Sequence, residues 1–271
     1  MTAPKIDPFP PFLNRQIEVT VSDRIERARF TSTEWTEHWR PLLARLHEYH
    51  TRQPLRLMVA IAGPPGTGKS VLAEQLTWLI SHNILPDCRA AALPLDGFHF
   101  PHDYLKSHYR TLADSTQVPL TECKGAPDTF DVEDLRRHLQ LLRDRTATTP
   151  WPGYSRLIHD TVPNRYRVSP STNIIFVEGN YVLLDRGPYV GISAFFDFKI
   201  YIDTPPVSIV SNLVERHIAG GKSEEAAKDW VRKIDLPNAR LVESTRKTAD
   251  LIIERNREDD IVALHWKGET A

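Results

Sequence analysis

One stretch constrains this chain more than any other: Gly63-Pro64-Pro65-Gly66-Thr67-Gly68-Lys69-Ser70 fits the pattern G-x-x-x-x-G-K-[ST]. Its glycines let the backbone curl so that successive N–H groups point inward, an arrangement suited to phosphate oxygens. Lys69 is expected to reach the β- and γ-phosphates of a nucleoside triphosphate and Ser70 to offer its hydroxyl to Mg²⁺. Val71 opens the helix whose N-terminal partial charge adds to the same spot, so residues 63 to 71 are the expected nucleotide contacts. The flanks agree. Arg56 to Ala62 reads as a short buried strand, and Val71, Leu72, Leu76, Leu79 and Ile80 recur at helical spacing. A Gly/Pro turn that ends in Lys-Ser by chance explains neither flank.

At 271 residues the chain suffices for one large α/β domain with an appendage. A formal net charge of -1, with both signs interspersed, provides no basic face for a nucleic-acid partner. Cys88 and Cys123 alone make no disulfide framework, and no apolar run is long enough to cross a bilayer. A reducing, cytoplasmic setting without a membrane partner is the expectation.

Residues 1–54 read as an N-terminal extension and 55–271 as the main domain. The extension opens with Pro4, Pro8, Pro10 and Pro11, and the alternation of Ile17, Val19 and Val21 reads as an edge strand. Thr31-Ser32-Thr33-Glu34 resembles a capping box ahead of a helix through Trp35, Trp39, Leu42, Leu43, Leu46 and Tyr49, with Pro41 expected to kink or restart it. Ordering a sheet edge, covering a site and forming a homodimer contact are all open to this segment.

Beyond the loop, strands are expected at 89–95, 173–177, 196–202 and 249–253, with an edge strand at 261–266. Helices alternate with them, the helix after the fourth strand leads through Gly220-Gly221 into a lid at about 215–232, and another helix spans about 237–248. Residues 100–130 show little periodicity, and 148–168 reads as a hairpin-like excursion. The alternation argues for a mostly parallel central sheet with helices on both faces, a three-layer α/β sandwich.

Two acids stand at strand ends, Asp96 and Glu178, where open parallel sheets place ligands. Phosphoryl transfer needs a base for the attacking hydroxyl, a carboxylate on the metal side and cations that spread the moving charge. Asp96 suits the base, Glu178 the metal-side acid together with Ser70, and Arg216 the lid cation; with Lys69 these form the expected catalytic set. His99, His102 and Asp103 lack a second ligand pair at zinc spacing, and substrate contact suits His99 better.

The run GPPGTGKS, LDGFHF, KGAPDTFD, PGYSRLIHD, IIFVEGNYVLL, KIYIDT and ADLII resembles the uridine kinase, phosphoribulokinase and bacterial pantothenate kinase family of P-loop kinases over about residues 56–255. The resemblance implies a P-loop NTPase fold, ATP as co-substrate with Mg²⁺, and a small-molecule acceptor such as a nucleoside, a pantothenate-like compound or a sugar. It places the catalytic aspartate on Asp96, the strand-end acid on Glu178 and the first lid arginine on Arg216. It also implies acceptor contacts at Lys124, Asp128, Asp131, Tyr154 and His159. The lid departs from the uridine kinase pattern: Ala219-Gly220-Gly221-Lys222 follow Ile218, leaving Arg216 and Lys222 as its phosphate-facing cations.

A small-molecule kinase is therefore the leading reading. A nucleotide-dependent regulatory ATPase acting on a protein partner is the alternative, and a non-catalytic binding module the third. No N-K-x-D, D-x-x-G switch segment or ABC-type signature supports the second.

Overall fold

The computed structural model describes residues 6–52, 56–111, 115–257 and 260–269. Pro4 of the expected proline run lies outside them. The chain opens with a hairpin, β1 (Gln16–Val21) and β2 (Arg24–Arg29), followed by a helical run made of α1 (Ser32–Glu34), a π-helical turn at Trp35–Trp39 and α2 (Arg40–Arg52). Next come β3 (Leu57–Ala62), α3 (Lys69–Ser81), β4 (Ala90–Pro94) and α4 (His102–Ser107). A small hairpin, β5 (Tyr109–Thr111) and β6 (Gln117–Pro119), precedes α5 (Val132–Asp144) and a longer hairpin, β7 (Thr149–Ser155) and β8 (Asp160–Val168). The chain ends through β9 (Ile174–Glu178), β10 (Phe198–Asp203), α6 (Pro206–Ala219), α7 (Glu224–Trp230), α8 (Leu236–Glu243), β11 (Leu251–Arg255) and β12 (Ile261–Trp266).

The central sheet has six strands in the order β12-β11-β10-β3-β9-β4, parallel throughout except for the antiparallel edge β12. Every residue of β3 and of β9 is buried, as a parallel sheet covered on both faces requires. The alternation of a strand sorts them: Leu57, Val59 and Ile61 join the core with α2 and α3, while Met58, Ala60 and Ala62 join the core with α5 on the other face. The expected α/β sandwich is thus observed.

The register aligns the strand ends. Glu178 lies opposite Ile61 of β3 on one side and Pro94 of β4 on the other. The phosphate loop leaves β3 just beyond Ile61, and Asp96 sits two residues past Pro94 in a 3-10 turn at Leu95–Phe98. One row of hydrogen-bonded strands therefore delivers the loop and both acids to the same edge.

Several local expectations are corrected. The alternating segment at 17–21 is no edge strand of the main sheet; it pairs with Arg24–Arg29 in a two-stranded sheet of its own that packs on α3. The second strand, RIERAR, carries too little apolar alternation to announce itself. Pro41 falls in the first turn of α2, directly after the π-helical turn, so the helical run changes type beside it rather than ending there. The helix expected at 237–248 ends at Glu243, and β11 runs two residues further than expected, to Arg255. Residues 100–130 hold α4, β5, β6 and two 3-10 turns.

The extension shares the main core. Phe30, Trp35, Trp39, Leu42, Leu43 and Leu46 are fully buried in the cluster that contains Leu57, Val59 and Ile61. Trp78 of α3 meets Phe12 edge-on at 5.1 Å between ring centroids. No helix among the described residues is long and apolar enough to cross a membrane.

Candidate active site

The phosphate loop is shaped by three glycines with positive φ: Gly63 at 153°, Gly66 at 83° and Gly68 at 76°. Gly63 has a second reason to lack a side chain, since a Cβ there would stand 2.8 Å from the Ile202 carbonyl oxygen. The loop is held from several sides. Thr67 Oγ1 donates to Pro64 O at 2.9 Å, and Asn212 of α6 donates through Nδ2 to Gly66 O at 3.1 Å. Arg255, fully buried at the end of β11, donates to Gly68 O at 3.0 Å and to Gln75 Oε1 at 3.3 Å.

Lys69 and Glu178 are both buried on the inner wall, at 8% and 7% exposure. Lys69 Nζ donates to Pro64 O at 2.8 Å, using one of its three donors and leaving two for phosphate oxygens. Burial lowers the Lys69 pKa, against the opposing pull of the Glu178 and Asp96 charges. Burial raises that of Glu178, and Asp96 adds repulsion in the same direction. Ser70 Oγ donates to Glu178 Oε1 at 2.8 Å.

These residues open onto a cavity of about 660 Å³. Pro65, Gly66, Gly68, Lys69, Ser70 and Val71 form its loop side, and Asp96 and Glu178 stand at its base. Arg216, His217, Lys222 and Trp230, from α6, α7 and the link between them, also line it; there the Lys222 ammonium lies 4.4 Å from the Trp230 ring centroid and His217 Nε2 is 2.7 Å from Asp235 Oδ2. The half-buried Arg216 guanidinium is held below its usual value by burial and by the charge of Arg156.

A further part of the lining comes from the 97–131 segment and the β7–β8 hairpin. His99 is buried, stacks on Phe130 at 3.8 Å and has Nδ1 3.2 Å from Thr129 O. A carbonyl accepts only, so Nδ1 carries the hydrogen and Nε2 is left as an acceptor. Burial pushes the His99 pKa down to about 4, which keeps the ring neutral. Lys124 donates to His159 O at 2.8 Å and lies 4.8 Å from the centroid of Tyr154, whose hydroxyl burial pushes up to about 12.

Close packing ties this part of the lining to the strand ends. Trp151 Nε1 donates to Pro94 O at 2.9 Å, and a Cβ on Gly97 would fall 2.2 Å from Pro152 O. Tyr181 donates to Gly125 O at 2.7 Å and Tyr189 to Pro127 O at 3.1 Å, pinning the KGAPD segment.

Lys69, Ser70, Asp96, Glu178 and Arg216 all line one cavity, and so do His99, Lys124, Tyr154 and His159. Gly63, Pro64 and Thr67, the other expected nucleotide contacts, belong to the loop but not to the lining. Asp128 and Asp131 lie outside the lining: both oxygens of Asp128 are engaged by Arg110, and Asp131 caps α5 by accepting from the Asp134 N–H at 2.9 Å. An N-cap aspartate before an amphipathic helix is a structural signal that competes with a ligand reading. Sequence reasoning missed Arg255, Arg156, Arg24 and Glu74. Only Arg156 left a trace, as a cation of the hairpin-like excursion at 148–168 and of the PGYSRLIHD segment.

Ser70 and Glu178 present hard oxygen ligands only, and no cluster of three or more His, Cys, Asp or Glu side chains suited to a metal occurs among the described residues. Mg²⁺ bound through one or two protein oxygens plus phosphates and water needs no such cage, so the residues fit it.

The family model for phosphoribulokinase / uridine kinase matches residues 58–262. An uncharacterized protein of Escherichia coli, YggC, is 34% identical over 245 residues, covering 90% of this chain and 97% of its own. A pantothenate kinase of Ligilactobacillus salivarius is 30% identical over 227 residues, covering 75% of this chain and 70% of its own. A proposed fructose transport system kinase from a Silicibacter species superposes with a TM-score of 0.68 at 30% identity, covering 78% of this chain and 97% of that one. The chain belongs to the phosphoribulokinase / uridine kinase family of P-loop kinases acting on small molecules.

Proposed function

We propose that this protein transfers the γ-phosphoryl group of ATP to a hydroxyl of a small metabolite. The observation that carries the reading is the convergence of Asp96, Glu178, Lys69 and Arg216 on one cavity whose lining also includes buried aromatic and imidazole groups. Lys69 and the loop N–H groups bind the phosphates, and Arg216 reaches them from the lid. Ser70 and Glu178 would hold Mg²⁺, which would supply neutralisation of charge on the phosphate oxygens. Asp96 accepts the proton of the acceptor hydroxyl, and His99, through Nε2, orients a neighbouring hydroxyl of the acceptor. Closure of the lid excludes water, which favours the metabolite over hydrolysis.

The test is an ATP-consumption screen over nucleosides, pantothenate, hexoses, pentoses and their phosphates, with Asp96→Asn as the blank. An acceptor whose phosphorylation disappears in the variant supports the reading. Hydrolysis indifferent to every metabolite and to Asp96 overturns it in favour of a regulatory ATPase.

A further inference from the structure

The turn of the N-terminal hairpin reaches the acceptor side of the cavity and is clasped there. Arg165 Nη2 donates to Ser22 O at 2.8 Å and to Asp23 Oδ1 at 2.7 Å, while Asp23 Oδ2 accepts from the backbone N–H of Arg156 at 2.8 Å. These bonds hold the Asp23 carboxyl down at about 2, so it is charged and both its oxygens are engaged within the clasp. The residues on either side of that contact, Arg24 and Arg156, both line the cavity.

Neither Arg24 nor Arg156 makes an ion pair or a side-chain hydrogen bond among the described residues, and Arg216 makes none either. The charges of Arg156 and Arg24 oppose the Arg216 charge while those of Asp235 and Asp96 favour it, so the cavity gathers three guanidinium groups, two of which act against the third. Such a group is relieved when anionic oxygens enter between its members. Arg216 sits on α6 beside the phosphate loop. Arg156 instead follows Tyr154, whose ring meets His99 edge-on at 5.8 Å, and belongs to the acceptor wall.

We propose that Arg24 and Arg156 bind an anionic group of the acceptor, a carboxylate or a phosphate, and that the N-terminal hairpin is a built part of the acceptor site. The preferred acceptor is then a hydroxy acid or a sugar phosphate rather than a neutral nucleoside or sugar. This inference rests on the kinase reading for the identity of the reaction, but the anion subsite itself is open to a binding test.

The experiment uses matched pairs: D-glycerate with glycerol, pantothenate with its alcohol, and ribose 5-phosphate with ribose. Titration calorimetry on the full chain loaded with a non-hydrolysable ATP analogue and Mg²⁺ is run beside turnover. The anionic member of a pair is expected to bind at least about tenfold tighter than the neutral one; Arg24→Ala is expected to remove about that factor, and Arg24→Lys to restore part of it. The pair that responds separates carboxylate from phosphate. The KM for acceptor should rise in Arg24→Ala while the KM for ATP stays within about twofold, because the phosphate loop supplies the nucleotide contacts. Equal binding of neutral and anionic members, or an equal rise of both KM values, overturns the anion subsite. Arg24-dependent anion binding without any phosphorylation supports the subsite and refutes the transfer reading, whereas turnover of a neutral acceptor unaffected by Arg24→Ala does the reverse.

Discussion

Ser70 Oγ donates to Glu178 Oε1 at 2.8 Å, joining the last residue of the phosphate loop to the acid that closes β9. The contact follows from the parallel pairing of β3 and β9, which sets Ile61 opposite Glu178 and the loop directly above it. Glu178→Gln keeps the size of the side chain and removes its charge. Expected is a fall in kcat of about 10²–10³-fold and a higher Mg²⁺ concentration for half-maximal rate, with binding of metal-free ATP largely kept. Steady-state kinetics across a Mg²⁺ series measures both; an unchanged Mg²⁺ requirement would remove Glu178 from the metal side.

Asp96 tests the base. Asp96→Asn is expected to lower kcat by about 10²–10⁴-fold while leaving the dissociation constant of a fluorescent ATP analogue within a factor of about two. Normal turnover by the variant would transfer the role elsewhere.

Glu74 gives a pH signature. It faces the small space beside Ser70, Tyr166 and Glu178, and burial, with repulsion from Glu178, raises its carboxyl to about 7. An acid whose folded pKa is raised contributes stability below its unfolded value of 4.5 and loses it as pH climbs through about 7. Glu74→Gln removes that loss. The melting temperature of Glu74→Gln minus that of the wild type should therefore increase between about pH 5 and pH 8, and a flat difference would contradict the shift.

Arg255 holds the loop from beneath. Arg255→Met removes the donor to Gln75 Oε1 in the buried interior, a cost of about 1–3 kcal/mol, while Gly68 O keeps the Leu72 N–H and loses its second partner. Chemical denaturation should show the loss, and the KM for ATP should rise because the Gly68 carbonyl is then held by the Leu72 N–H alone. Arg255→Lys is expected to recover only part, since a single ammonium cannot repeat the spread of a guanidinium.

Gly97 and Gly179 control spacing at the strand ends. A Cβ on Gly179 would lie 2.3 Å from Leu95 Cβ, and one on Gly97 would meet the Pro152 backbone. Gly97→Ala should push the β7–β8 hairpin away from Asp96, lowering kcat/KM for the acceptor more than the KM for ATP changes. Equal activity in this variant would show that the hairpin is not needed at that distance.

The phosphate loop, the two strand-end acids and the alternation of buried strands with helices were legible from residues alone, because each is a local pattern. Glycines at fixed spacing, apolar runs of strand length and helical periodicity all act within about a dozen residues. Arg216 and the aromatic lining were also reachable, since motif order places them after successive strands at one end of a parallel sheet. The resemblance carried Lys124, Tyr154 and His159 to the cavity, yet it also carried Asp128 and Asp131, whose carboxylates the structure engages with Arg110 and with the α5 N-terminus.

Tertiary structure alone decided the rest. Arg255 meets the loop from 187 residues away, and Asp23 meets Arg165 across 142. No local pattern encodes such pairings, because a charged residue in a short strand of mixed character reads the same whether it faces water or a site. The sequence by itself determined that a phosphate-binding loop would stand at the head of a parallel sheet with an acid beside it. Only the packed chain determined that the N-terminal hairpin turns its arginine into the same cavity: long-range burial of Phe30, Trp35 and Trp39 against α3 fixes that hairpin, and the Asp23 clasp sets its reach.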